Sequence, residues 1–144
     1  MTCNRWLFYF LLLLLLFSGC FSGKSPLRGK VAFSDDQSPL QTGMILFVAE
    51  KDGFIGTAEI KPDGTYRASS TGVADGLPPG KYKVRFNGAM IQTGGTDVLP
   101  IMESLIDDRF RNTATSGLEV EIPRTKVFDI QVDRYVSTNN LSNP

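Results

Sequence analysis

From Leu27 onward, apolar and polar side chains alternate in short runs. Leu27, Gly29, Val31 and Phe33 alternate with Arg28, Lys30 and Ala32. Tyr82, Val84 and Phe86 alternate with Lys81, Lys83 and Arg85; Leu118, Val120 and Ile122 with Glu119 and Glu121; Phe128, Ile130 and Val132 with Asp129, Gln131 and Asp133. A period of two places one set of side chains on a buried face and the other in water. Met44 to Ala49 is apolar on both faces and predicts a central strand. Phe54 to Ile60 and Thr65 to Ser69 complete a set of about seven strands. The turns between them fit. Lys61-Pro62-Asp63-Gly64 predicts a tight hairpin between Ile60 and Tyr66, and Asp52-Gly53 another. Leu77-Pro78-Pro79-Gly80 predicts a stiff corner, with Gly80 at positive φ, so that Gly80→Val is expected to destabilise the fold. Short strands with such turns predict an all-β fold, a single antiparallel β-sandwich.

Two stretches depart from the alternation. Asn87 to Ser116 is irregular: Gly94-Gly95 is loose, and Leu99 to Phe110 is the one candidate for a short helix. A strandless connection of that length is often functional or mobile. The other is Trp6 to Phe17, apolar without a break, after a start that carries one basic residue and before the small pair Ser18-Gly19. This is the layout of a secretory signal. Twelve helical residues rise about 18 Å, against a hydrocarbon core of about 30 Å. An uncleaved membrane anchor is therefore the second choice.

Composition narrows the chemistry. Acidic and basic residues balance at 15 each in 144 residues, so no net field draws nucleic acid. Histidine is absent, which removes the commonest general base and metal ligand. The cysteines are Cys3 and Cys20, and cleavage before Cys20 leaves 125 residues with one cysteine and no intrachain disulfide.

Phe17-Ser18-Gly19-Cys20 resembles a bacterial lipobox, with Phe17 where leucine is usual. The resemblance implies lipidation of Cys20 and a membrane anchor through it; the alternative is an ordinary cleaved signal beside a chance cysteine. Phe21, rather than Asp, follows Cys20 and by the enterobacterial sorting pattern points to the outer rather than the inner membrane. The expected organisation is a signal peptide over 1–19, a lipidated cysteine and flexible tether over 20–26, the sandwich over 27–136 and a disordered tail over 137–144.

Asp63 to Phe86, DGTYRASSTGVADGLPPGKYKVRF, resembles the carboxypeptidase regulatory-like, transthyretin-like sandwich family, with its Asp-Gly-x-Tyr and Gly-Leu-x-Pro-Gly-x-Tyr-x-Val pattern. GKVAF and SPLQTGMILFVAE resemble its opening strands. RFRNTATSGLEVEI resembles the closing half of small lipoproteins of planctomycete-like bacteria, with Phe110 and Asn112 standing where those carry Tyr and Asp. The likeness covers Leu27 to Val132. It implies a fold and no peptidase activity.

Candidate chemistry is sparse. Glu103, Asp107 and Asp108 could offer oxygens to calcium but lack any ligand-loop spacing, and a solvated loop is the better reading. Asp35, Asp36, Asp52, Asp63 and Asp75 read as turn residues. Lys81, Lys83 and Arg85 share a strand face that could dock an anionic glycan or phospholipid headgroup; pairing with Glu119 and Glu121 across a strand is favoured over it. Lys30 and Asp129 are expected in solvent, away from any isopeptide chemistry. Ser116 has no histidine to activate it; a Ser–Lys dyad stays open without spacing to support it, and a turn into the Leu118 strand is the plainer role.

The expected protein is thus non-enzymatic, needs no cofactor or metal, binds no nucleic acid, and sits on a bacterial envelope, where it binds or presents itself to an envelope protein or glycan. The alternative is a small envelope hydrolase, or a hydrolase's accessory domain, using the 87–116 loop.

Overall fold

The computed structural model describes residues 23–136. The expected signal peptide, Cys20 and the 137–144 tail lie outside the described residues. Nine strands run in chain order: β1 Arg28–Phe33, β2 Met44–Ala49, β3 Ile55–Glu59, β4 Thr65–Arg67, β5 Gly80–Asn87, β6 Met90–Gly95, β7 Pro100–Ser104, β8 Leu118–Ile122 and β9 Ile130–Val132. A four-stranded sheet has the order β3-β2-β5-β8 and a three-stranded sheet the order β4-β1-β9. Together they form a β-sandwich. Its seven strands fall on the seven segments that the sequence predicts as strands. The third sheet is the β6–β7 hairpin.

The alternating residues meet where expected. Val31, Ile45, Phe47, Val84, Phe86, Val120, Ile122, Ile130 and Val132 are all buried in one core with Leu27, Leu40, Tyr66 and Leu77. Phe47 of β2 and Tyr66 of β4 face each other across the sheets with ring centroids 6.2 Å apart. The Tyr66 hydroxyl donates to the Phe128 carbonyl oxygen. Each such side chain contributes about 1.5–3 kcal/mol on leaving water.

Several expectations are corrected. The sandwich is not wholly antiparallel: β1 pairs with β9 in parallel, Val31 opposite Ile130. The first and last strands come from the two ends of the domain, so a crossover is geometrically free. The Ile60–Tyr66 hairpin is tight at its turn, where Gly64 N donates to Lys61 O at 2.8 Å and Lys61 N to Thr65 O at 3.0 Å. Farther out Thr57 and Ser69 exchange backbone hydrogen bonds. Between these points the strands part, because β4 pairs with β1 while β3 pairs with β2. The hairpin therefore joins the two sheets.

At the Leu77–Gly80 corner, the glycine in the left-handed region is Gly76, at φ +83°, and not Gly80. A Cβ on Gly80 would meet only Tyr82 Cε2, at 3.7 Å. The reversal falls before the two prolines rather than after them. The stretch Lys24–Pro26, expected within a flexible tether, is held against this corner. Ser25 and Leu77 exchange backbone hydrogen bonds at 2.9 and 3.0 Å, and Lys24 Nζ reaches Asp75 Oδ2 at 2.6 Å.

Residues 87–116 are not a strandless loop, and Leu99 to Phe110 is not a helix. The segment holds β6, β7 and one 3-10 turn, Asp108–Arg111.

Candidate functional site

The β6–β7 hairpin is the most unusual surface of the domain. Gly88 at φ +66° turns the chain out of β5, and Ala89, buried, pins the root by accepting from Leu105 N at 2.9 Å. Met90 then lies opposite Ser104, Ile91 opposite Glu103 and Gln92 opposite Met102. A register shift between Gln92 and Gly94 follows. The tip closes through Thr96, whose N and Oγ1 engage Leu99. Side chains on both faces lie in water: Val98 is 86%, Leu99 77%, Ile101 61%, Ile91 51% and Met102 45% exposed. Five exposed aliphatic side chains gathered on one hairpin make it a candidate interaction surface. The hairpin pairs with no other strand among the described residues, so its outer edges carry unpaired backbone groups.

At the root, a groove of about 510 Å³ runs between the hairpin and the β1–β2 connection, lined by Phe33, Pro39, Leu40, Met90, Ile91 and Leu105 among others. Its charged member, Arg134, is already engaged. The guanidinium stacks over the Phe33 ring at 3.8 Å and holds Asp35 and Asp36 at 2.8 Å each. Hydrogen bonds from Ser38, then Arg134, push the Asp36 carboxyl down to about 2.

The residues singled out in the sequence fall into place separately. Cys20 is outside the described residues. Lys81 lies opposite Glu121 and Lys83 opposite Glu119 on β8; Lys83 Nζ also sits 3.6 Å from Glu50. Arg85 lies opposite Leu46 on β2. Glu50, Glu119 and Glu121 border the same shallow surface as Lys81, so the stripe is one of mixed charge. Asp107 caps the 3-10 turn by accepting from Arg109 N, and Asp108 pairs with Arg111. Asp52, Asp63 and Asp75 accept backbone N–H bonds from Phe54, Thr65, and Ser70 with Gly72, which makes them turn residues as expected. Lys30 and Asp129 are exposed. Ser116 is buried; its Oγ donates to Val84 O at 2.6 Å and accepts from Leu118 N at 3.3 Å. Its hydroxyl fixes the entry to β8.

No family model matches the chain, and no curated protein does. Among solved structures, the major pilin subunit of Bacillus cereus is similar over 78% of this chain and 30% of its own, at 10% identity and a TM-score of 0.49. A 9R-lipoxygenase from Cyanothece is similar over 83% of this chain and 20% of its own, at 13% identity and a TM-score of 0.42. The chain thus spans less than a third of either protein.

Little in the sequence marks the hairpin. Period-two patterning registers a strand only when one of its faces is dry, and both faces of β6 and β7 are wet. The one available signal was a cluster of aliphatic side chains, Val98, Leu99, Ile101 and Met102, in a segment that otherwise looks like a loop.

Proposed function

We propose that this chain is a lipid-anchored, non-enzymatic sandwich of a bacterial envelope that binds an envelope protein through the β6–β7 hairpin. The observation that carries the reading is the exposed aliphatic surface of that hairpin, set at the end of the sandwich remote from Lys24. Arg28 begins β1 beside the Lys24–Pro26 segment, whereas Phe33 ends it beside the hairpin root. A lipid on Cys20 and a partner at Leu99 would therefore occupy opposite poles.

A protein is favoured over a glycan because the exposed side chains are aliphatic, and a free strand edge accepts an extended peptide. Ser116, committed to two hydrogen bonds, supports a structural role over a nucleophilic one. The family assignment we propose is the carboxypeptidase regulatory-like one. The Asp63 and Leu77–Tyr82 positions that carry the likeness build turns and a core strand, which suits a scaffold.

The test places a photo-reactive amino acid at position 99 in the native host. Crosslinks to one envelope protein are expected, and they disappear in Ile91→Asp/Ile101→Asp. That variant keeps its thermal midpoint, since exposed positions change stability by about 0.5 kcal/mol or less. Crosslinks to lipid, or none, overturn the hairpin reading. In parallel, Cys20→Ser moves the protein from membrane to soluble fractions; unchanged retention overturns the lipid anchor.

A further inference from the structure

The pole that bears Lys24 has a composition of its own. Arg28 at the start of β1 and Arg67 at the end of β4 are directly opposed across the ladder. Arg28 N donates to the Lys126 carbonyl at 3.1 Å, and Arg28 bridges Val127 on its other side, so Lys126 joins the same cluster. These three cations line a groove of about 320 Å³ with Pro26, Ala74 and Val127. All three are exposed, and none is in an ion pair among the described residues, although Lys24, Lys83, Arg109, Arg111, Arg124 and Arg134 all are. Like charges placed opposite one another on a ladder repel. Lys30, Lys51, Lys61, Lys81 and Arg85 are likewise in no ion pair among the described residues, but only Arg28 and Arg67 stand directly opposed as like charges in a ladder that also borders a groove. Beside the groove two aliphatic side chains stand in water, Val73 at 99% exposure and Val127 at 54%.

We infer that this groove is a docking surface for the phosphate-bearing headgroups of an anionic bilayer. Two observations select a membrane over other anionic partners. The charge is complementary to an anionic leaflet, with aliphatic side chains beside it that suit the headgroup boundary. The chain outside the described residues also ends here: Cys20 lies four Cα steps from the pinned Lys24, at most about 14 Å when fully extended. Given the lipid anchor proposed above, on which this inference rests, Lys24, two residues before Pro26 of the groove, stays within that reach of the headgroup layer. A lipid on Cys20 would hold the domain; Arg28, Arg67 and Lys126 would orient it, with the hairpin pointing outward.

The test uses the protein as matured by its host, extracted in detergent, with its intact mass recording the state of Cys20. It is reconstituted into vesicles of phosphatidylcholine alone or with phosphatidylglycerol, and hydrogen–deuterium exchange is followed over 66–76 and 124–129. Several-fold slowing is expected on the anionic vesicles only. It vanishes in high salt and in Arg28→Gln/Arg67→Gln/Lys126→Gln, and weakens in Arg67→Gln alone, a variant that merely removes one member of a repelling pair. Equal exchange on the two vesicle types overturns the docking and leaves the anchor standing. Slowing by inorganic phosphate in detergent but not by anionic vesicles also overturns it, in favour of a small-anion site. A mass without acylation overturns the anchor; the same exchange comparison, on protein mixed with the preformed vesicles, then decides the docking by itself.

Discussion

An L-residue at position 76 would have to hold φ near +83° while its Cβ pressed to 2.3 Å from the Ser25 carbonyl oxygen. Backbone, not a yielding side chain, is what it would strike. Gly76→Ala is therefore expected to cost about 3 kcal/mol, from left-handed strain and overpacking together. Gly80→Ala, by contrast, is expected to change stability by about 1 kcal/mol or less. Chemical denaturation of the two variants side by side checks the difference. Such a distinction is not legible in Gly-Leu-Pro-Pro-Gly. Both glycines flank the corner, and only the return of Ser25 to Leu77 decides which one is crowded.

At the scale of elements, the turns rely on carboxylates. Asp36 is lowered from its ordinary 3.8 to about 2 by Ser38, Asp63 is lowered by Thr65, and Asp75 is lowered first by the Lys24 ammonium and then by the backbone of Ser70. Each takes up a proton more readily in the unfolded chain. Their stabilisation is complete above the unfolded value and is lost as pH falls through about 4 toward the lowered values. The thermal midpoint should stay level above about pH 5 and decline below 4. Asp36→Asn/Asp75→Asn should start lower and decline less, as calorimetry across that range would record; an unchanged acid slope would refute the assignment. These turns were readable in advance because Asx geometry is local: Asp, two residues, then an N–H to receive. The seven sandwich strands were readable because one face of each is dry. What escaped were features set by distant partners: the parallel β1–β9 pairing, the opening of the β3–β4 hairpin between sheets, and β6–β7.

For the whole molecule, polarity along the strand axis is the organising feature. One pole gathers Lys24, Asp75, Arg28, Arg67 and Lys126; the other gathers the hairpin root and the Arg134 cluster over Phe33. The core between them is a single cluster with no buried side-chain polar atom left unbonded among the described residues. The likeness of residues 17–20 to a lipobox is a local pattern, readable from the sequence without a structure. The cationic groove is not, since Arg28, Arg67 and Lys126 are brought together only by the β1–β4 ladder and the return of the chain before β9.

The first strand after the pinned segment is the middle one of its sheet, bonded to β4 on one side and β9 on the other. A tug applied at Lys24 and resisted at the hairpin tip runs along that strand, so both ladders are loaded in shear and many bonds must fail together. Pulling between residues 24 and 73 instead opens bonds in turn, as a zip does. Single-molecule extension should find the 24–98 geometry markedly stronger, and equal rupture forces would contradict the load path. A domain strung between two moorings in this way can bear tension through its own architecture.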